Sequence, residues 1–264
     1  MKEDFGSADA VFMTRAGAVA TLHLNQPAKR NAISILMWQR LLDLVSAADR
    51  DPNVKVIVVT GEGGAFAAGS DIAEFAQVAA DPTTATAAAD IIHQSENALS
   101  RVSKPTLAKI SGACVGAGCG VALCCDFRFA DTTARFGITP ARLGLVYSVA
   151  DTKRLVDVVG AARARDILYT GRIMDATEAL AMGLIDRLMA PGDLDAVVQD
   201  YLTALTAASS FSQRALKRHL RAVVDGAHDD TPETLAVFAG AIGGAHFKEG
   251  HAAFMAKRKP EFPD

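Results

Sequence analysis

The run Val115–Asp126, VGAGCGVALCCD, sets a cluster of small residues against an apolar, cysteine-rich segment. Glycines just ahead of a helix let backbone N–H groups come close to an anionic or polarised ligand atom. A second run, Gly64–Ile72 (GAFAAGSDI), has the same character. Each follows a stretch that reads as a buried strand, and each places a small residue where a backbone N–H can point outward. Two such donors from separate loops, one of them at a helix start, make an oxyanion hole, which stabilises negative charge developing on a carbonyl oxygen. A phosphate cradle would call for G-x-x-x-x-G-K-[ST] or G-x-G-x-x-G, and neither spacing occurs. The four cysteines, Cys114, Cys119, Cys124 and Cys125, do not have the paired C-x-x-C spacing of a zinc site. They read as buried reduced thiols acting as small hydrophobes, with no metal and no cofactor implied.

The elements that must hold these loops follow from periodicity. Val11–Leu24 alternates around Arg15-Ala16-Gly17 and predicts a β-hairpin. Asn31–Asp49 carries Ile35, Trp38, Leu41, Leu42 and Val45 on one helical stripe. Val54–Thr60, Pro105–Ile110 and Phe127–Ala130 read as buried strands. Ala87–Leu99, Asp175–Met182 and Leu194–Ala208 read as helices, and Pro82–Ala87 as a mobile surface segment. The tail Gly243–Pro263 contains an amphipathic piece, Phe247–Lys257, suited to packing on something. Strands alternating with helices predict a single α/β core followed by a helical C-terminal region.

The chain has 264 residues, 50% of them hydrophobic, and a formal charge of −3. That balance argues against a nucleic-acid partner, which would favour a basic surface. The basic helix face at Arg214, Lys217, Arg218 and Arg221 reads as solvated. The opening MKEDFGSADA is polar and acidic rather than signal-like. No apolar run approaches the roughly 20 residues of a membrane span. The expectation is a soluble, cytoplasmic protein.

Taken in order, the segments NQPAKRNAIS (Asn25–Ser34), FAAGSDI (Phe66–Ile72), KP (Lys104–Pro105), GACVGAGC (Gly112–Cys119), LGL (Leu143–Leu145), TGR (Thr170–Arg172) and EGHAAFMAKRKPEF (Glu249–Phe262) resemble the crotonase, or enoyl-CoA hydratase/isomerase, superfamily along almost the whole chain. The resemblance implies an α/β fold of the ClpP/crotonase type. This is a spiral of β-β-α units over residues 1–200, with a helical trimerisation region over 201–264. It implies an acyl-CoA thioester as ligand and a homotrimer or dimer of trimers. The N–H groups of Ala68 and Ala117 would be the two oxyanion donors. Ala67, Ser70, Asp71, Ile72, Gly116 and Gly120 would lie along the thioester, and Lys29 and Arg30 near the CoA phosphates.

Hydratases of this superfamily use two glutamates. One lies three residues after the second donor, where this chain has Gly120; the other lies where it has Pro140. General acid–base groups contribute typically ~10²–10⁴-fold, so efficient hydration is not expected. The pattern T-P-x-x-L-G-x-x-Y from Thr139 to Tyr147 resembles the methylmalonyl-CoA decarboxylase branch, although Ser70 and Gly120 stand where that branch has His and Glu. Decarboxylation of a 2-carboxyacyl-CoA, residual hydratase or isomerase activity, and non-catalytic acyl-CoA binding all stay open. Each residue also has a plainer role. Thr139 can cap the turn begun by Pro140, and Tyr147 can pack rather than donate a proton. Asp151 reads as a surface residue paired with Lys153 or Arg154, and Asp71 as a brace for its own loop. His93 reads as a surface residue, and Asp126 as an acceptor for backbone donors. Gly120 leaves space beside the thioester or permits tight helix packing.

Overall fold

The computed structural model describes residues 10–263; the acidic opening Met1–Asp9 lies outside the described residues. Strands β1 (Val11–Ala16) and β2 (Val19–Leu24) pair antiparallel across Gly17, which takes φ +58° at the turn. From β2 the sheet continues in parallel through β3 (Val56–Gly61), β4 (Thr106–Ile110), β6 (Phe127–Asp131) and β9 (Arg187–Met189). A small second sheet holds β5 (Ala113–Val115), β7 (Arg135–Gly137) and β8 (Met174–Asp175). Strand pairs β4–β5 and β6–β7 each step from the large sheet to the small one; a helix follows β5 and returns the chain to β6, the β-β-α turn, whereas after β7 the chain pairs β8 in the small sheet before reaching β9.

Covered strands need apolar residues on both faces, and β3 is buried from Val56 to Thr60. Val56, Val58, Leu107 and Phe129 meet Leu194, Val198 and Leu202 of α8 (Leu194–Ala207) on one side. Ile57, Val59 and Ala108 face the main core with Trp38 and Leu41 of α1 (Ile35–Arg50). The expected start of α1 at Asn31 moves to Ser34, whose hydroxyl accepts the Met37 N–H at 3.2 Å and so caps the helix. Helix α8 runs straight through residue 200. Beyond it lie α9 (Ser210–Val224), α10 (Pro232–Gly243) and α11 (Ala245–Met255).

The segment Pro82–Ala87 lies at the surface, as expected, and is helical. It forms the first turns of α3 (Pro82–Arg101), with the Asp81 side chain accepting from Thr83 N and Pro82 at the first helical position. This long helix packs on α1, and the buried Ser95 hydroxyl donates to the Trp38 carbonyl. That contact fixes the rotation of α3 and therefore the direction of Glu96. The four thiols are buried and free, as expected. No helix among the described residues is long and apolar enough to cross a membrane.

Candidate active site

Two loops meet through glycine backbones. The first leaves β3 and runs through Phe66–Asp71 into α2 (Ile72–Val78); the second leaves β5 and enters α4 (Ala117–Leu123) at Gly116. Gly69 takes φ +116° and Gly116 φ +54°, conformations that favour glycine. A Cβ placed on Gly116 would lie 3.6 Å from Gly69 Cα, and one on Gly69 3.4 Å from the Val115 carbonyl oxygen. The two backbones are thus close neighbours, and it is the positive φ angles rather than want of space that call for glycine at both positions.

The hydrogen-bond ledger of the first loop decides which amide is free. Phe66 N–H donates to Ser111 O at 2.8 Å, Ala67 N–H to Ala113 O at 2.8 Å, and Asp71 N–H to Ile33 O at 3.0 Å. The Ala68 N–H, expected to be an oxyanion donor, donates instead to the Arg30 carbonyl at 2.9 Å. It is spent on holding the Lys29–Arg30 turn, so the Ala68 assignment is corrected. Ala67 is likewise structural: it is fully buried, and its carbonyl accepts from Val115 N at 2.9 Å. Ser70 forms a parallel bridge with Ile33 in which Gly69 O and Asp71 N make the bonds, so its own N–H points away from Ile33. No described residue accepts the Ser70 N–H. In the second loop Ala117 is the first residue of α4, where a helix leaves its N–H without an internal partner. Ser70 and Ala117 are among the amides beside these two glycines that no described residue accepts, together with those of Gly69 and Gly118.

Around them, the expected residues divide. Asp71 accepts from Glu74 N, capping α2, and takes a 2.5 Å ion pair from Lys29 that holds its carboxyl below the ordinary range. It is the loop brace foreseen, and Lys29 is partly committed to it. Arg30 is exposed on a left-handed turn at φ +50°, and Ile72 is exposed at the start of α2. Asn31, not singled out as a site residue, is fully buried and ties this turn to the first loop. Its Nδ2 donates to Glu62 O at 2.8 Å and Ala65 O at 2.7 Å. Thr139 starts the 3-10 turn Pro140–Leu143, yet its side chain makes no capping bond, and its Oγ1 lies 3.9 Å from the Gly116 Cβ position. The hydroxyl is therefore free beside the second loop rather than used as a cap.

In the exposed run 141–149 only Tyr147 turns inward. Its hydroxyl is buried with no hydrogen-bond partner among the described residues. Burial foremost, helped by Cys119 and Asp151, raises its pKa well above the ordinary tyrosine value. Gly120 lies one helical turn past Ala117. A Cβ there would stand 2.9 Å from Glu96 Oε1 and 3.2 Å from Tyr147 Oη. Of the two reasons expected for this glycine, the structure shows the packing one: side chains from other elements stand where its own would be.

Glu96 is the residue that sequence reasoning missed. It is 4% exposed, and burial, then the Asp151 carboxyl, push its pKa from 4.5 up to about 9. Asp151 is not at the surface but buried, on α5 (Val149–Val159). It accepts from Arg154 Nη1 and from the Ser148 hydroxyl, both at 2.5 Å. His93 is exposed and bonds Asn97, and Asp126 accepts the Thr106 N–H at 2.8 Å, both as expected. The basic face of α9 is partly structural, since Lys217 Nζ donates to Asp126 at 2.7 Å and to Lys104 O at 2.8 Å. No group of three metal-ligating side chains occurs among the described residues.

Comparison with known proteins agrees with this architecture. The family model for enoyl-CoA hydratase/isomerase matches residues 14–264. A crotonyl-CoA hydratase of Syntrophomonas wolfei is 30% identical over 257 residues, covering 96% of this chain and 97% of that protein. The crystal structure of an enoyl-CoA hydratase/isomerase family protein from Hyphomonas neptunium superposes with a TM-score of 0.93 at 41% identity, covering 97% of this chain and 98% of that one. One described as an enoyl-CoA hydratase/carnithine racemase, from Magnetospirillum magneticum, superposes with a TM-score of 0.94 at 32% identity, covering 99% and 98%. With its β-β-α spiral, its two neighbouring glycine loops and a family match over nearly its full length, this chain belongs to the enoyl-CoA hydratase/isomerase, or crotonase, family.

Proposed function

We propose that this chain is an acyl-CoA enzyme that holds a thioester carbonyl between the amides of Ser70 and Ala117 and stabilises the enolate formed there. The observation that supports this most is the close approach of Gly69 and Gly116, each next in sequence to an amide, Ser70 or Ala117, that no described residue accepts. Donors aimed at the developing oxyanion, fixed before the reaction, cost no reorganisation when charge appears.

The reaction that fits best is loss of CO₂ from a 2-carboxyacyl-CoA. The electrons of the breaking C–C bond pass into the thioester enolate, CO₂ leaves, and the α-carbon then takes a proton. No general base is needed. Tyr147 supplies the proton: its raised pKa keeps it protonated, so it serves as an acid and not as a base. The uncapped Thr139 hydroxyl, beside Gly116, is placed to hold the leaving carboxylate. The two positions whose carboxylates serve hydration in the superfamily are here Gly120 and Pro140, and the one carboxyl beside Gly120, that of Glu96, is held protonated. Arg30, more than the Asp71-paired Lys29, is the cation available to the CoA phosphates. A trimer would cover apolar side chains left open on α9–α11, among them Leu220, Phe238, Ile242 and Phe254.

Methylmalonyl-CoA and crotonyl-CoA, incubated separately with the pure protein, test the assignment. CO₂ release from the first with little loss of enoyl absorbance from the second is the expected result. The reverse pattern overturns decarboxylation, and thioester binding without turnover of either favours a non-catalytic acyl-CoA binder. No binding of any short acyl-CoA by calorimetry overturns the acyl-CoA reading itself.

A further inference from the structure

Helix α3 spends Ser95 on α1, where its hydroxyl donates to the Trp38 carbonyl, and the next residue, Glu96, turns into the space beside Gly120. Three elements face Glu96 there. Helix α5 brings Asp151 and Arg154, helix α4 brings Cys124, and the inward turn of the 141–149 run brings Tyr147. Asp151 and Arg154 satisfy each other directly, at 2.5 Å. Arg154 also reaches Asn97 Oδ1 at 2.8 Å, while Glu96 Oε2 stands 3.8 Å away. Glu96 stands outside that close ion pair and is tied to it by a hydrogen bond to the Asp151 carboxylate, which keeps it a protonated carboxyl in a buried site. A buried carboxyl that no ion pair requires is costly in a core, and Gly120 leaves room for this one.

The Cβ position of Gly120 lies 2.9 Å from the Glu96 carboxyl and 3.2 Å from the partnerless Tyr147 hydroxyl. Both groups thus face one gap, a single helical turn from the Ala117 amide. We propose that Glu96 is the proton reservoir of the site, a positioning residue lent by α3 that recharges Tyr147 after that phenol has protonated the enolate. This role rests on the acyl-CoA reading given above. The balance closes: the phenolic proton goes to the α-carbon, and the Glu96 proton passes through one water bridging the gap to the phenolate oxygen, since the two side chains are not hydrogen-bonded to each other. The Glu96 carboxylate then remains beside Arg154 until a solvent proton replaces the one consumed. The direction of its pKa agrees, since at neutral pH Glu96 holds the proton it would give.

The test compares wild type with Glu96→Gln, which keeps shape and neutrality but cannot release a proton, and Glu96→Asp, which can. Three readouts are taken: butyryl-CoA affinity, methylmalonyl-CoA kinetics against pH, and the carboxylic-acid infrared band at neutral pH. Expected for Glu96→Gln are unchanged butyryl-CoA affinity, kcat lowered at least tenfold with KM unchanged, and loss of the alkaline fall in kcat near pH 9. Glu96→Asp should recover part of the rate. In wild type an acid band absent from Glu96→Gln should shift when butyryl-CoA binds. A Glu96→Gln kcat within twofold of wild type, an unaltered pH profile, or no such band overturns the role. If wild type binds butyryl-CoA yet releases no CO₂, the decarboxylase reading fails separately. The infrared shift then decides whether Glu96 senses the ligand: its presence upholds the placement and its absence overturns it.

Discussion

Glu96→Gln should make the protein more stable at neutral pH, by an amount that grows with pH. In the folded chain the Glu96 pKa is pushed from 4.5 up to about 9, mainly by burial. Between those values the folded state keeps a proton that the unfolded state has lost, so raising the pH favours unfolding. Below 4.5 both states hold the proton and the group has no effect; above about 9 both have released it and the loss is complete. Inside the window the slope for one proton is about 1.4 kcal/mol per pH unit. Glutamine has no such term, while its amide can still donate to Asp151. The stability gap between Glu96→Gln and wild type should therefore widen by about 4 kcal/mol between pH 5 and pH 8. Urea unfolding at fixed protein concentration would measure it, read by the fluorescence of Trp38, the single tryptophan and fully buried. A gap that stays constant across those pH values would mean that Glu96 is ionised in the fold, refuting the neutral-acid assignment.

Ala117→Pro deletes one proposed oxyanion donor at the first position of α4, a place where helices tolerate proline. Turnover should fall about 10²–10³-fold with little change in melting temperature, and unchanged turnover would remove that amide from the mechanism. Tyr147→Phe should lower kcat at least tenfold while leaving thioester affinity intact, as measured by steady-state kinetics and calorimetry. Gly120→Ala pushes the ends of the Glu96 and Tyr147 side chains aside, so kcat should fall several-fold, while thermal unfolding stays within about 1 kcal/mol of wild type because alanine gains helix propensity there. Light scattering should give the mass of three or six chains; a monomer would contradict the proposed assembly of α9–α11.

Much of this arrangement can be read from residue order, because strands buried on both sides and glycine loops leave strong local marks. Val56–Thr60, Thr106–Ile110 and the β1–β2 hairpin lie within a residue or two of where alternation and apolar runs place them. The two site loops are visible for the same reason, since Gly69 and Gly116 interrupt otherwise regular apolar segments. What stays hidden is whatever depends on a distant partner. Whether the Ala68 or the Ser70 amide is free turns on the Arg30 carbonyl, which no local pattern reveals. Pro82–Ala87 looks like a loop because alanines and threonines give no amphipathic stripe, yet Asp81 and Pro82 start a helix there. Glu96 looks like any solvated helix residue in the run SENALS. Its burial follows from the packing of α3 on α1 and from the space at Gly120. Asp151 is misread for the same reason, as α5 turns it inward beside Arg154.

A crystal structure with a bound, slowly reacting CoA thioester tests the central claim most directly. The account predicts the thioester oxygen within hydrogen-bond distance of both the Ser70 and Ala117 nitrogens, with its α-carbon toward Tyr147. A thioester oxygen turned toward solvent, or bonded to neither amide, would contradict it.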